Sequence, residues 1–314
     1  NAGTATITLT GIGNYTGTQT KEFTITSKTL TITAEDKTKV YDGSAFPQAN
    51  YSVTYDGFVV GEDKDTSDLA GTLAYGGTAI AATASGTYVI TPSGLTSDNY
   101  SIVYEDGELS ITQRDISEAS IAAIADLVYT GSAQTVSPEV TFNSLNLVED
   151  TDYTTSFEGN TNAGTATITL TGIGNYTGTQ TKEFTIIKLP VTVVADTQTK
   201  TFGDTDPEFT FIATPDEQSS LSSDDITFTG ALSRVIGQED VGSYPIEIGT
   251  LTNTNYSITY TTSNLIITSK SIAIIPTSGL SKTYGTVDPV LSYTISPTAL
   301  PDGTTITLGG LLSR

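Results

Sequence analysis

Apolar and polar residues alternate along many short segments of this chain. Between residues 4 and 10, threonines take every second position, and Ala5, Ile7 and Leu9 take the positions between them. A period of two places alternate side chains on opposite faces of a β-strand, so this segment predicts a strand with one apolar face. Turn-forming Gly and Asn residues follow it at 11–14. The pattern therefore predicts an all-β chain of short, half-buried strands.

The sequence is also repetitive. Residues 1–25 are identical to residues 162–186, which indicates a tandem array of duplicated units. An aromatic residue followed closely by glycine recurs more widely, at Tyr41, Tyr129, Phe202 and Tyr284. An Asn-Tyr pair recurs in the same way, beginning at Asn14, Asn99, Asn175 and Asn255. Both motifs return at intervals of about 80 residues, which sets the length of one repeat.

These intervals divide the chain into three whole repeats and two partial ones. The whole repeats are residues 27–113, 114–187 and 188–268. Residues 1–26 are the C-terminal part of a truncated repeat of the same type as 114–187. Residues 269–314 are the N-terminal part of a truncated repeat of the same type as 188–268. We therefore expect the native chain to continue in both directions.

The joints between repeats are only two or three residues long, and none of them is a flexible Gly/Ser linker. A strand that ends one repeat therefore leads at once into the first strand of the next. This arrangement predicts small β domains of about 80 residues, joined head to tail in an extended rod. Roughly five to seven strands for each repeat suit an immunoglobulin-like sandwich. Five strands with a short helix in residues 216–223 would instead suit a β-grasp-like fold, and both alternatives stay open.

Composition excludes several classes of function. The 314 residues include no Cys and no His, which removes thiolate chemistry, imidazole ligands and a histidine general base. Lys and Arg total 13 against 35 Asp and Glu, and the net charge of −22 disfavours binding to a phosphate backbone. No apolar run reaches the length of about 18 residues that a membrane span needs. We therefore expect no catalysis, no nucleic-acid partner and no membrane insertion.

Clusters of acidic residues are the candidate metal sites. Ca²⁺ prefers about six to eight oxygen ligands, which carboxylates supply. The candidate ligands are Glu62, Asp63 and Asp65; Glu149, Asp150 and Asp152; and Asp204 with Asp206. No EF-hand spacing accompanies them, and the alternative is that these acids are solvated loop residues that keep the protein soluble. A structural calcium ion is the one cofactor that the sequence suggests.

The tyrosines are candidates for stacking on sugars, since the chain has 16 Tyr and no Trp. Four of them follow the recurring asparagine, at Tyr15, Tyr100, Tyr176 and Tyr256. A tyrosine at a fixed position in each repeat is more typical of a core or corner residue than of a ligand platform. We therefore interpret these four as structural.

Several motifs resemble those of known repeat families. Tyr41-Asp42-Gly43, together with residues 99–104, resembles the YDG-type repeat. Residues 202–207, 230–234 and 242–246 resemble the MBG repeat of the YGX type. Repeats of these types occur in very large bacterial cell-surface and secreted adhesins, so the chain is similar to part of a bacterial cell-surface adhesin.

The resemblance implies an extracellular location at the bacterial surface and a role as a stalk, and it carries over no catalytic residue. The partners that it implies are the neighbouring repeats, and host or surface glycans bound by a head outside these residues. Two alternatives stay open beside the stalk. The repeats themselves bind glycan, mucin or another surface, or the chain polymerises into filaments by strand complementation between its half-repeats.

Overall fold

The computed structural model describes residues 1–310 and 312–313 and consists of β-strands, turns and short 3-10 helices. The described residues contain no α-helix, which confirms the all-β prediction. None of them forms a helix long and apolar enough to cross a membrane. Leu311 and Arg314, which belong to the last partial repeat, lie outside the described residues.

The chain begins with a two-stranded antiparallel hairpin. Its strands are β1 (Gly3–Thr10) and β2 (Thr18–Ile25), and Gly3 lies opposite Ile25 in the register. The alternation of threonine with apolar residues in β1 therefore forms a strand, as its period of two predicts.

Residues 27–113 form two small sheets. The strands are β3 (Lys28–Ala34), β4 (Lys37–Val40), β5 (Val53–Asp56), β6 (Ala70–Gly76), β7 (Gly86–Thr96), β8 (Tyr100–Glu105) and β9 (Gly107–Thr112). One sheet has the strand order β5-β3-β8 and the other has the order β4-β9-β7-β6. The first two strands pair in parallel with the last two, β3 with β8 and β4 with β9. The start and the end of the repeat therefore pair with each other in both sheets.

Residues 114–187 contain shorter strands. They are β10 (Arg114–Asp115), β11 (Ser120–Ile121), β12 (Leu127–Val128), β13 (Val140–Phe142), β14 (Leu145–Asn146), β15 (Tyr153–Glu158), β16 (Gly164–Gly172), β17 (Tyr176–Thr177) and β18 (Thr179–Ile187). The strand orders are β10-β17, β11-β13-β14 and β12-β18-β16-β15. Strands β16 and β18 therefore occupy the two central positions of a four-stranded sheet.

Residues 188–268 repeat the arrangement of 27–113 with one strand fewer, since no strand corresponds to β6. The strands are β19 (Leu189–Ala195), β20 (Gln198–Thr201), β21 (Phe211–Pro215), β22 (Gly242–Ile246), β23 (Tyr256–Thr261) and β24 (Ser263–Thr268). The sheets have the orders β21-β19-β23 and β20-β24-β22, and β19 and β20 again pair in parallel with β23 and β24. The last partial repeat contains the antiparallel pair β25 (Ala273–Pro276) and β26 (Tyr293–Ser296).

The core of 188–268 lies between its two sheets. Val191 and Val193 of one sheet and Leu265 and Ile267 of the other are all buried in one hydrophobic cluster. Burial of such side chains from water is the main favourable term in folding a domain of this size. The polar segment 216–223 forms a turn, and the only regular helix near it is the 3-10 turn Ser223–Asp225. Two packed sheets correspond to the sandwich alternative and not to a β-grasp-like fold.

The chain divides into two compact units. The first comprises Asn1–Ala123, Ser137–Phe157 and Ile168–Lys182, and the second comprises Ile124–Val136, Glu158–Thr167 and Glu183–Arg314. The division passes through the repeat of residues 114–187. Each short joint between repeats therefore lies inside a compact unit.

Candidate functional site: the joints between repeats

The asparagine of the Asn-Tyr motif makes the same contacts at three of the four joints, those that precede residues 27–113, 114–187 and 188–268. The first strand residues of the three whole repeats, Lys28, Arg114 and Leu189, donate their backbone N–H groups to the backbone oxygens of Asn99, Asn175 and Asn255, each at 3.0 Å. Each of these asparagines lies in the same repeat as the residue that it binds. The bond therefore fixes the first residue after a joint against the Asn-Tyr turn of its own repeat.

The side chain of that asparagine reaches the preceding repeat. Its Oδ1 atom accepts a hydrogen bond from a backbone N–H group there, which joins Asn99 to Ala2 at 2.6 Å, Asn175 to Ser85 at 2.8 Å and Asn255 to Ala163 at 2.9 Å. Each asparagine therefore contacts two repeats. Its backbone oxygen binds the first strand of its own repeat, and its side chain binds the preceding repeat. The sequence shows that the Asn-Tyr motif recurs, but it carries no signal that the asparagine bridges two repeats.

A glycine follows the donor residue in all three asparagine bridges. Gly3, Gly86 and Gly164 have φ angles of 129°, 148° and 141°. Residues other than glycine rarely adopt such angles, because their Cβ atoms collide with the backbone. The recurring Gly-Thr pair at the start of β1, β7 and β16 is the sequence signal that could have located this contact.

Aromatic rings form a second contact across two of the joints. Tyr41, in the aromatic-Gly turn of 27–113, meets Tyr176 of the next repeat edge to face, with ring centroids 5.5 Å apart. Tyr129 meets Tyr256 in the same way at 6.0 Å. Tyr176 and Tyr256 are only 2% and 5% exposed, so their rings are structural and are not platforms for a sugar.

The glycine of the aromatic-Gly turn accommodates a leucine of the next repeat. A Cβ atom built on the glycine would lie 3.1 Å from Leu145 at Gly43, 3.3 Å from Leu221 at Gly131 and 2.8 Å from Leu300 at Gly203. The φ angles of these glycines are 79°, 77° and 82°. Glycine is therefore required here both for its backbone conformation and for the space that the leucine occupies. The three leucines were not identified from the sequence.

Cations at the joints bind groups of the neighbouring repeat. Arg114 donates from Nε to the backbone oxygen of Tyr41 in the preceding repeat at 2.6 Å, and its guanidinium lies over the ring of Phe142 in its own repeat, 4.5 Å from the centroid. Lys270 forms an ion pair with Asp204 at 3.3 Å. The two contacts of Arg114 suit a half-buried arginine, since a guanidinium both donates hydrogen bonds and stacks on aromatic faces.

A network of four charged side chains lies beside the Phe202-Gly203 turn. Asp206 accepts hydrogen bonds from Lys200 at 2.7 Å and from Arg234 at 2.6 and 2.8 Å. Glu239 accepts from the same two cations. The side chains of Lys200 and Arg234 are only 4% and 5% exposed, so their charges are compensated almost entirely by the two acids. The network ties the loop after β20 to the loop that precedes β22.

The charged side chains of this network shift one another's pKa values. The hydrogen bonds from Arg234 lower the pKa of Asp206, and those from Lys200 lower the pKa of Glu239. Burial alone would lower the pKa of Lys200, but the hydrogen bonds to both acids outweigh it and raise the pKa. A cavity of about 630 Å³ adjoins the network, and residues 300–302 of the last partial repeat form its other wall.

Acidification is expected to weaken this repeat through the network. Asp206 and Glu239 have ordinary pKa values of 3.8 and 4.5, and both values are lowered in the folded protein. Their contribution to the free energy of unfolding is therefore complete above about pH 4.5 and is lost as the pH falls through the lowered values. The check is the urea midpoint of this repeat at several pH values, read from the NMR signals of the Tyr244 and Tyr256 rings.

The matched variant for the pH experiment is Glu239→Gln, which cannot lose a charge at that position. We expect its urea midpoint to change less between about pH 6 and pH 3 than that of the unaltered protein. An identical pH dependence in both proteins would contradict the assignment of Glu239 to the network.

The predicted calcium ligands lie in loops where most of them bind protein groups. Asp63 accepts from the backbone N–H groups of Asp65 and Thr66, and Glu62 accepts from the Tyr100 hydroxyl at 2.6 Å. Asp65 pairs with Lys64 at 2.5 Å. These contacts account for the acidic residues of this loop through local hydrogen bonds and one ion pair.

The other two acidic clusters are held in similar ways. Asp152 accepts from the backbone N–H of Val148 at 2.9 Å, and Glu149 accepts from the Thr155 hydroxyl. Asp150 has a positive φ of 64° in the same turn, whereas Asp204 and Asp206 bind the cations described above. Within residues 1–310 and 312–313, no group of three or more acids is arranged to hold a metal ion. Calcium binding at these clusters stays a prediction.

Comparison with solved structures gives a distant similarity. The crystal structure of the protocadherin GammaB4 extracellular domain is 10% identical, and the aligned region covers 91% of this chain and 57% of that one. The chain thus spans a little over half of that protein's length. The TM-score is 0.21. A search of curated proteins finds no match.

Comparison with protein families gives a direct match. The family model of the MBG domain (YGX type) matches residues 30–110 and residues 191–266, which together make up half of the chain. The two matched segments are also the two repeats that share one arrangement of sheets. The YDG-type assignment of residues 27–113 stays a prediction beside this match. The chain belongs to the MBG domain (YGX type) family.

Proposed function

We propose that this chain is a non-catalytic spacer in the stalk of a large bacterial surface adhesin or extracellular filament. The observation that carries the proposal is the recurrence of one joint. The asparagine bridge is present three times, and it occurs between repeats of different types. A contact that returns at three joints gives neighbouring repeats a defined orientation and so suits a part that transmits force and holds a distal head away from the cell.

Composition supports this role over catalysis. The chain contains neither His nor Cys, which removes the commonest general base and the thiolate nucleophile. A net charge of −22 makes neighbouring stalks repel each other and keeps them soluble. An extracellular location at the bacterial surface is part of the same proposal, as are glycans bound by a head outside these residues.

Recognition of glycan or mucin by the repeats themselves is the weaker alternative. Stacking on a sugar needs an exposed aromatic face, and three of the four tyrosines of the Asn-Tyr motif, Tyr100, Tyr176 and Tyr256, are buried. The fourth, Tyr15, and Tyr284 of the last partial repeat are exposed, and they are the aromatic rings that such binding would use. Saturable binding of a glycan panel to the 1–314 chain would favour this alternative.

Small-angle X-ray scattering tests the spacer role. A compact chain of this length has a radius of gyration of about 20 Å. We expect about 40 Å for a rod of roughly four domains, because each domain adds the length of its strands. The measurement is made with calcium and again with a chelator, since an ion at the acidic loops would add stiffness that the chelator removes. A value near 20 Å in both buffers would refute the extended stalk.

The joint itself is tested in the same experiment. The triple variant Asn99→Ala, Asn175→Ala and Asn255→Ala removes all three asparagine bridges, and the control Asn14→Ala changes the same motif in the exposed N-terminal hairpin. We expect the triple variant to lose the longest interatomic distances and to give the rising Kratky plot of a flexible chain. The control is expected to scatter like the unaltered protein. Unchanged scattering from the triple variant would show that the bridges do not orient the repeats.

A further inference from the structure

A cavity of about 320 Å³ lies at the joint between the whole repeats 114–187 and 188–268. Its apolar wall comes from both repeats and includes Val128, Tyr129, Ile187 and Leu189. The turn that follows β21 contributes polar residues, among them Asp216 and Gln218. Pockets for small molecules have volumes of about 300–1,000 Å³, so this cavity suits one small group and not a large ligand.

The preceding joint places an arginine side chain where this joint has a leucine. Arg114 and Leu189 occupy the same position, because each donates its backbone N–H to the asparagine of the Asn-Tyr pair and lies opposite the tyrosine of that pair. The guanidinium of Arg114 binds the backbone oxygen of Tyr41 at 2.6 Å and lies 4.5 Å from the ring centroid of Phe142. Leucine is shorter and uncharged, so the joint with the cavity lacks this guanidinium.

The acceptor of that guanidinium has a counterpart that lacks a donor. Tyr129 stands in the aromatic-Gly turn as Tyr41 does, and its backbone N–H binds the oxygen of Ile187 at 3.0 Å. Within residues 1–310 and 312–313, the backbone oxygen of Tyr129 accepts no hydrogen bond, whereas that of Tyr41 accepts one from Arg114. A guanidinium in the cavity would supply the missing donor, since it carries five N–H groups.

Asp216 adds a negative charge to the wall of the cavity. Its backbone N–H donates to the oxygen of Pro190 at 3.0 Å, which fixes the turn beside the joint. Its Oδ1 accepts from the backbone N–H of Gln218 at 3.0 Å, and its Oδ2 has no partner among the described residues. A carboxylate is the strongest acceptor for a guanidinium. Val128 and Ile187 are 41% and 42% exposed and offer apolar surface to an aliphatic stem.

We propose that this cavity binds a guanidinium group on an aliphatic stem, which is the chemistry of an arginine side chain. The guanidinium donates to the backbone oxygen of Tyr129 and to the carboxylate of Asp216, and the stem lies against Val128 and Ile187. The net charge of −22 favours the approach of a cation. This binding goes beyond the spacer role, and its failure would leave that role intact.

The test is an NMR titration of the isotope-labelled 1–314 chain with acetyl-arginine amide. We expect saturable shifts at the amides of Tyr129 and Gln218. The amides of Tyr41 and Arg114 are expected to stay in place, because their joint already contains a guanidinium. Shifts that spread over the acidic loops without saturation would overturn the proposal.

A neutral ligand of the same shape isolates the charge. Acetyl-citrulline amide replaces the guanidinium by a urea group and is expected to bind about tenfold more weakly, or weaker still, because its hydrogen bonds are not charge-assisted. Equal affinity of the two amides would overturn the proposal.

Two matched variants of the protein locate the site. Asp216→Asn removes the charge but keeps an oxygen for the backbone N–H of Gln218, and it is expected to weaken binding about tenfold or more. Glu217→Gln removes the same charge from the next residue, which does not line the cavity, and is expected to bind within about threefold of the unaltered chain because salt screens the more distant charge. Equal weakening by both variants would contradict the assignment.

Agmatine distinguishes two sources of the same chemistry. It carries the guanidinium and its stem without a peptide backbone. Tighter binding of acetyl-arginine amide would support the site and identify an arginine of a polypeptide as its ligand. Tighter binding of agmatine would support the site with a free organic cation as its ligand. Saturation by neither compound would refute the proposal.

Discussion

Replacing Leu170 by alanine is expected to lower the free energy of unfolding of the 114–187 repeat by about 2–5 kcal/mol. Leu170 is fully buried, so the change removes apolar contacts and leaves a cavity. The identical change at Leu9 is expected to cost about 0.5 kcal/mol or less, because that side chain is 68% exposed. The two leucines occupy the same position in identical sequences, so they form a matched pair.

The measurement must report on one repeat, since several repeats do not unfold as a single two-state system. The NMR signals of the Tyr153 and Tyr176 rings report on the 114–187 repeat, those of the Phe23 ring report on the hairpin that contains Leu9, and the loss of each set with urea gives the midpoint of its own segment. We expect the midpoint to fall clearly in Leu170→Ala and to stay unchanged in Leu9→Ala. Equal shifts in both variants would mean that the two copies have the same surroundings in solution.

Replacing Arg234 by methionine is expected to lower the free energy of unfolding of the 188–268 repeat by about 2–4 kcal/mol. The change removes three hydrogen bonds to Asp206 and Glu239 and leaves both acids beside one remaining cation. The acids are 33% and 51% exposed, so water compensates part of the loss and the effect stays below that of a fully buried pair.

Two further variants isolate the cause. Arg234→Lys keeps the charge but loses the planar fork that binds Asp206 through two nitrogens, so an intermediate loss is expected. Lys64→Met removes the exposed pair with Asp65 and is expected to cost about 0.5 kcal/mol or less. The urea midpoint is read from the Tyr244 and Tyr256 rings for the Arg234 variants and from Tyr55 and Tyr100 for Lys64→Met. Equal small losses in all three would contradict a structural role for the network.

The joint explains how repeats of different types can follow one another. Its contacts use an asparagine side chain with a backbone N–H, a glycine that admits a leucine, and an aromatic pair. These features recur in 27–113, in 114–187 and in 188–268, although the strands between them differ in number and length. A new repeat that keeps these few positions can join the array without adjustment of its core. This separation of joint from core suits the proposed spacer role, in which repeats of different types follow one another.

Much of the fold could be predicted from local pattern. The alternation in residues 4–10 is a strand, and the segments with MBG motifs match that family. A period of two and turn-forming glycines act over a few residues, so they can be read directly from the order of residues. The choice between a sandwich and a β-grasp-like fold depended on which strands pair. Parallel pairing of β3 with β8 joins residues far apart in the sequence and leaves no local signal.

The contacts at the joints could be predicted from the sequence even less than the fold. The recurrence of Asn99, Asn175 and Asn255 was visible in the sequence, but their bonds to the preceding repeat were not, because both partners are defined only when two repeats meet. Asp206 was a plausible calcium ligand by composition, whereas in the folded repeat it binds Lys200 and Arg234.

The two identical hairpins separate what sequence and tertiary structure each determine. Their common sequence determined that both form antiparallel strands with one apolar face. Whether that face lies in a core or in water was decided by the segment packed against it, which covers residues 162–186 and has no counterpart over residues 1–25 among the described residues. Strand formation follows from local alternation, but burial depends on long-range contacts, so identical sequences can differ completely in exposure.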